Sequence, residues 1–161
     1  MKRFCIPLFL FIIAGHLFAQ GFSALERRIV LAGPEEMLRL VLDRSLEKEM
    51  LAIINHFEDQ GGEETLSAIS AAFPGIREDE CSFLLIKLAL VASLGSGDED
   101  VVETGMDILE FLGMIDFMKD FDEMDDDLQA FLESSYWKDC IAFFHLFDAD
   151  AFLEERFPGI F

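Results

Sequence analysis

The densest group of potential metal ligands in this chain is an acidic run between positions 116 and 127. Its members are Asp116, Asp120, Asp122, Glu123, Asp125, Asp126 and Asp127. Carboxylate oxygens suit Ca²⁺, but an EF-hand loop needs ligands at alternate positions, a central glycine and a closing glutamate. The Asp120-x-Asp122 pair lacks the third ligand and the glycine, and Asp148-x-Asp150 meets Gly159 where the closing acid should stand. We therefore interpret the run as a solvated helix face with a helix cap, and we expect neither a metal site nor another cofactor.

Histidine and cysteine chemistry is limited to a few positions beyond the N-terminal segment. His56 and His145 lack a second histidine at helical spacing, so the zinc motif His-Glu-x-x-His is absent, as is any Cys-x-x-Cys pair. Each histidine is interpreted as an ordinary, partly buried side chain. Cys81 and Cys140 leave three hypotheses open: a disulfide in an oxidising compartment, two buried thiols in separate helices, or a cysteine and a histidine paired as a nucleophile.

Other catalytic motifs are missing from the sequence. There is no Gly-x-Ser-x-Gly elbow, no phosphate-binding glycine loop and no dinucleotide fingerprint. Two carboxylates would support hydrolysis, but nothing in the sequence distinguishes one pair among the 32 acidic residues. The sequence therefore favours a protein that is not an enzyme. A small periplasmic hydrolase using unidentified carboxylates is the alternative.

The charge of the chain limits its partners. The formal net charge is −20, while 52% of the residues are hydrophobic. An acidic surface is repelled by nucleic acid and by anionic lipid, so we expect no nucleic-acid partner and no strong binding to anionic membranes. The apolar content is too high for a disordered chain. We expect a folded domain whose partners are a basic protein surface or an apolar peptide or lipid.

The N-terminus has the layout of a secretory signal. Lys2 and Arg3 precede an uncharged apolar run from Phe4 to Phe18, and Ala19 offers a cleavage site. This predicts a signal peptide over residues 1–19 and a mature acidic domain over residues 20–161, exported to the periplasm or secreted. Leu17 suits the peptidase poorly, which leaves a membrane-tethered protein with an uncleaved anchor as an alternative.

Apolar residues recur at helical spacing through the mature sequence, and no stretch alternates as a strand would. We predict an all-α fold, a single compact bundle of about five to seven helices. The predicted helices are 23–33, 34–61, 63–73, 78–95, 99–124, 125–147 and 150–156. The stripe from Leu38 to Phe57 indicates one amphipathic helix of about 25 residues, and the apolar segment 83–91 indicates the most buried helix, interrupted by Lys87.

Local signals mark several helix ends. Ser23 with Glu26, and Ser96 with Glu99, have the spacing of a capping box. The tetrapeptide Phe-Pro-Gly-Ile occurs at 73–76 and again at 157–160, but the flanking sequences agree no better than chance. We interpret both copies as turns that stop a helix, and not as evidence of a repeat.

The helix expected over residues 99–124 is the strongest candidate for a binding surface. Its polar positions, Asp100, Glu103, Asp107, Glu110, Asp116, Asp120 and Glu123, predict one narrow solvated stripe, with Gly113 as a possible kink. The candidate apolar binding face consists of Met106, Phe111, Met114, Phe117, Met118 and Phe121. Methionine-rich surfaces adapt to varied peptides or to an acyl chain, although the core of a bundle uses the same residues. We expect an exported, non-catalytic binding or scaffold protein.

Overall fold

The computed structural model describes residues 22–119 and 132–160. Over these ranges the chain forms eight α-helices and no strand, so the predicted all-α class is confirmed. The helices are α1 Ala24–Leu31, α2 Pro34–Leu42, α3 Glu47–Gln60, α4 Gly62–Ala72, α5 Glu78–Gly95, α6 Glu99–Met118, α7 Ser135–Leu146 and α8 Ala149–Arg156. The predicted signal peptide and the acidic run 120–127 lie outside the described residues.

Two predicted single helices are wrong: the one over residues 34–61 is divided at residues 43–46, and the one over residues 125–147 is interrupted at Ser134, where ψ is 135°. Asp43 has extended backbone angles, φ −79° and ψ 95°, and a 3₁₀ turn Arg44–Leu46 follows it. The Asp43 carboxylate accepts hydrogen bonds from the Ser45 amide at 3.0 Å and from the Ser45 hydroxyl at 2.6 Å. Aspartate and serine often bind nearby backbone in this way, which competes with helical hydrogen bonding. The amphipathic stripe therefore continues across two helices.

Helix α5 is the centre of the bundle. It packs against α1, α2, α3, α4, α6 and α7, and its side chains at Leu84, Leu88, Leu90 and Val91 are fully buried. Among the described residues, this agrees with the prediction that the segment 83–91 belongs to the most buried helix. Within residues 22–119 and 132–160, no helix has both the length and the apolar character needed to cross a bilayer.

Lys87 is a structural element of this core, whereas the sequence suggested only an interruption. Its side chain is fully buried. The ammonium group donates to the carbonyls of Val30 and Ala32 at 3.1 and 2.5 Å and to Asp139 Oδ2 at 2.9 Å. The last carbonyls of a helix have no intrahelical partner, so Lys87 caps the C-terminal end of α1. It also links α5 to α7 through Asp139.

Two glycines set the position of α6 between its neighbours. A Cβ atom at Gly105 would lie 2.8 Å from Leu94 Cδ2 and 3.0 Å from the Leu94 backbone nitrogen. A Cβ at Gly113 would lie 2.9 Å from Phe144 Cζ. The first glycine therefore permits close packing of α6 on α5, and the second permits close packing of α6 on α7. Helix α6 continues through Gly113 to Met118, so packing is the role that the structure gives this glycine.

The two Phe-Pro-Gly-Ile segments form the same turn. The Ile76 amide donates to the Phe73 carbonyl at 3.1 Å, and the Ile160 amide donates to the Phe157 carbonyl at 3.2 Å. The glycine at the third position has a positive φ in each turn, 96° and 85°, where a residue with a side chain would be strained. The interpretation of both copies as helix-stopping turns is confirmed.

Candidate functional site

The C-terminal half of α6 exposes large apolar side chains on its outer face. The exposed fractions are 41% for Phe111, 51% for Met114, 68% for Phe117 and 43% for Met118. Of the other two predicted face residues, Met106 is half-buried, and Phe121 lies outside the described residues. We call Phe111, Met114, Phe117 and Met118 the apolar face. Packing of α6 on α5 positions it, because Val102, Leu109 and Leu112 on the opposite side are buried.

An apolar groove adjoins the N-terminal end of this face, where α6 meets the end of α7 and the start of α8. Its volume is about 310 Å³. The lining residues are Met106, Asp107, Leu109, Glu110, Phe144, Phe147 and Ala149. The apolar side chains form most of the lining, and two carboxylates belong to it. A site of this kind accepts an apolar side chain or a short alkyl chain and favours a positive charge beside it.

Contacts between aromatic rings stabilise the wall of the groove at the C-terminal end of α7. The rings of Phe143 and Phe147 are stacked with centroids 5.3 Å apart, and Phe147 lies 5.0 Å from Phe152. Phe144 reaches α6 at Gly113. Aromatic contacts of this kind contribute about 0.5–1.5 kcal/mol each beyond simple burial. The groove therefore lies in the packed framework of the bundle, and the short connection between α7 and α8 contributes Phe147 to it.

The predicted continuous acidic stripe on α6 is wrong at Asp116. Glu103, Asp107 and Glu110 are exposed on the outer face, but the Asp116 side chain is only 14% exposed. Its carboxylate accepts from Lys119 Nζ at 2.5 Å and lies 2.9 Å from His145 Nε2. Asp116 follows Glu110 by six residues, which rotates it to the side that faces α7. The positions that continue the acidic face are instead Met114 and Phe117.

The environment of Asp116 favours its charged form. The hydrogen bond from Lys119 lowers the pKa of this carboxyl below its usual value, and burial opposes the shift; His145 adds a smaller contribution in the lowering direction. The contact joins α6 to α7 beside the apolar face. His145 itself has a 59% exposed side chain, so it is more exposed than the sequence suggested. No local sequence pattern indicates this pair, since the two residues are 29 positions apart.

The two predicted cysteines lie in the interior, not at a reactive surface. Cys81 on α5 and Cys140 on α7 are both buried. Burial raises the pKa of the Cys140 thiol to about 12, and the Cys81 thiol donates to the Arg77 carbonyl at 3.6 Å. A nucleophilic cysteine requires a thiolate at neutral pH, so this environment argues against the cysteine–histidine pair at Cys140. The disulfide between Cys81 and Cys140 stays a prediction.

Charged groups at a second, smaller cleft connect helices of the bundle to one another. The cleft is about 100 Å³ and is lined by Leu42, Arg44, Phe152, Glu155 and Arg156. The Arg156 guanidinium donates to the Gly95 carbonyl at 3.3 Å and lies 3.4 Å from Glu47 Oε1. It therefore caps the C-terminal end of α5 and links α8 to α3. Burial lowers the pKa of Arg156, and the charge of Glu47 opposes this shift.

The part of the chain that the structure describes contains no preformed metal site. Within residues 22–119 and 132–160, no three or more histidine, cysteine, aspartate and glutamate side chains are placed to hold a metal ion. The acidic residues at 120–127 lie outside these ranges.

Comparison of the chain with models of protein families, with curated proteins and with solved structures found no match. The features that bear on function are therefore those of the site itself: an exposed apolar face, an adjoining groove and carboxylates beside both.

Proposed function

We propose that this chain is an exported, non-catalytic binding protein that holds an apolar ligand, a peptide or a lipid, on α6. The observation that carries the proposal is the apolar face and the groove beside it, on a helix whose opposite side is fully packed. Monomeric soluble proteins rarely expose contiguous apolar patches larger than a few hundred Å², and patches above that size mark sites of interaction. The acidic surface of the protein supports a basic partner.

The size of the apolar face limits what it contributes to affinity. Complete burial of a large apolar side chain contributes about 1.5–3 kcal/mol to binding, so covering the exposed part of Phe111, Met114, Phe117 and Met118 contributes roughly 1 kcal/mol each. Four such contributions correspond to a dissociation constant of about 1 mM. A physiological ligand must therefore also fill the groove or meet the carboxylates.

The test measures binding of a neutral apolar dye, N-phenyl-1-naphthylamine, to the domain over residues 20–161. Met114→Asp places a charge in the apolar face, and we expect it to weaken dye binding at least about tenfold. Leu42→Asp is the matched control, because Leu42 is 50% exposed and Met114 is 51% exposed, on different helices. Equal dye binding by both variants and the unmodified protein would refute the proposed site.

A stability measurement accompanies the dye experiment. If the apolar face is exposed in the free protein, Met114→Asp and Leu42→Asp should change the urea midpoint by similar, small amounts. A large loss of stability for Met114→Asp alone would show that other parts of the chain cover this face. In that case the residues belong to the core, and the binding function is wrong.

Sequencing the N-terminus of the exported product tests export, with Gln20 expected as the first residue.

A further inference from the structure

The outer face of α6 has two halves of different chemistry in a single line. Glu103, Asp107, Glu110, Met114 and Phe117 follow one another at intervals of four and three residues, which keeps them on one side of the helix. All five are exposed. The face is therefore acidic toward the N-terminal end of α6 and apolar toward its C-terminal end.

The acidic half has no positive charge to balance it within its own helix. The sequence of α6 contains six acidic residues and no lysine or arginine. Among the described residues, Glu103, Asp107 and Glu110 take part in none of the salt bridges of the structure. Their carboxylates therefore present a local negative field that adds to the net charge of −20. Such a field attracts a cation and repels a phosphate or carboxylate head group.

From this layout, and resting on the proposed function, we propose that the ligand is a cationic amphipathic polypeptide segment with a fixed direction on α6. Its apolar end covers Met114 and the rest of the apolar face, and its lysines or arginines meet Glu103, Asp107 and Glu110. The distance from Glu103 to Met118 along the helix is about 22 Å at 1.5 Å per residue. A helical segment of about 15 residues spans that length. Anionic lipid does not fit, because its head group would approach the carboxylates.

The experiment compares two synthetic peptides of identical composition, about 15 residues of leucine, lysine and alanine. In the first peptide the leucines lie at one end and the lysines at the other; in the second they are interspersed along the chain. Binding to the domain over residues 20–161 is measured by fluorescence anisotropy. We expect the segregated peptide to bind at least about tenfold more tightly, because only it matches both halves of the face. Equal affinities would overturn the proposal.

A charge-matched pair of variants tests the acidic half. Glu103→Gln, Asp107→Asn and Glu110→Gln together remove three charges from the outer face of α6. The control variant carries Glu49→Gln, Glu58→Gln and Asp59→Asn on α3, where all three residues are exposed, so the net charge changes equally. We expect about tenfold weaker binding for the α6 variant and less than about twofold for the control. Equal losses of affinity in the two variants would show that only the net charge attracts the peptide. This result would overturn the proposal that the peptide binds α6 in a fixed direction.

Two further measurements separate this proposal from the proposed function. A photoreactive group at the leucine end of the segregated peptide should crosslink near Met114, and the same group at the lysine end should crosslink near Asp107. Crosslinks at both sites from both ends would refute a fixed direction. If the dye binds at Met114 but neither peptide binds, the peptide proposal fails while the apolar site stands. Tighter binding to phosphatidylglycerol vesicles than to the segregated peptide would also overturn the proposal.

Discussion

Replacing Lys87 with methionine is the most direct test of how this fold is held together. Methionine keeps most of the side-chain volume but removes the three hydrogen bonds to the Val30 carbonyl, the Ala32 carbonyl and Asp139. The two carbonyls then lose their partner, and an unsatisfied buried polar group costs about 1–3 kcal/mol. Removing one partner of a buried ion pair costs about 3–5 kcal/mol in total. We expect Lys87→Met to lower the free energy of unfolding by about 3–5 kcal/mol.

The two sides of the ion pair should behave differently. The Asp139 side chain is 33% exposed, so water can solvate its carboxylate when the ammonium group is absent, and most of the loss in Lys87→Met comes from the two carbonyls at the end of α1. Asp139→Asn instead leaves the fully buried Lys87 ammonium without a countercharge, so we expect it to cost about 3 kcal/mol or more. The two variants together with the double variant form a cycle that isolates the coupling between Lys87 and Asp139.

The assay is equilibrium unfolding in urea, followed by circular dichroism. A loss of 4 kcal/mol moves the midpoint by about 2 M if the denaturant dependence is about 2 kcal/mol per molar. Lys48→Met serves as a control, because Lys48 is exposed on α3. The reasoning is refuted if Lys87→Met is as stable as the unmodified protein. It is also refuted if Asp139→Asn is no more destabilising than Lys48→Met, since the buried ammonium of Lys87 would then need no countercharge.

Two further predictions concern α6 and its neighbours. Gly105→Ala should lower the free energy of unfolding by at least about 2 kcal/mol, because the new methyl group would press on the Leu94 backbone. The free energy is measured by calorimetry. Gly33→Ala is the control, because a Cβ atom at Gly33 has nothing within 4 Å. Asp116 has a depressed folded-state pKa, so its contribution to stability is present above its unfolded pKa and is lost as the pH falls through the folded value. Asp116→Asn should therefore lose less stability than the unmodified protein between about pH 5 and pH 2 in acid titrations, and identical pH profiles would contradict this.

Sequence patterns predicted the helices well where the deciding interactions are local. The Ser23–Glu26 capping box forms as expected, with both reciprocal hydrogen bonds. The second predicted box, Ser96 with Glu99, is wrong. The Ser96 hydroxyl donates back to the Ser93 carbonyl at 2.9 Å, and Asp98 caps α6 by accepting from the Val101 amide. Ser96 and Asp98 were both suited to cap the N-terminus of α6, and their spacing in the sequence does not decide which of them does so.

The candidate site was only partly predictable, because its geometry depends on contacts between distant segments. Periodicity placed Phe111 and Met114 on an apolar helix, but only packing on α5 shows that they face outward. Asp116 lies off the predicted stripe because six residues separate it from Glu110, and its contact with His145 of α7 has no local signal in the sequence. The partners of Lys87 lie 57, 55 and 52 residues away. A lysine in an apolar segment indicates an interruption or a buried cap equally well, and the sequence offers no local signal that separates them.

The central position of α5 ties the candidate site to the folding equilibrium of the whole domain. Six helices pack against α5, so we expect the amide protons at its buried centre to exchange with solvent through global unfolding of the domain. Helix α6 packs against it along the side opposite the apolar face. A ligand that occupied this face only in the folded state would therefore slow hydrogen exchange deep in α5, far from any atom that it touches.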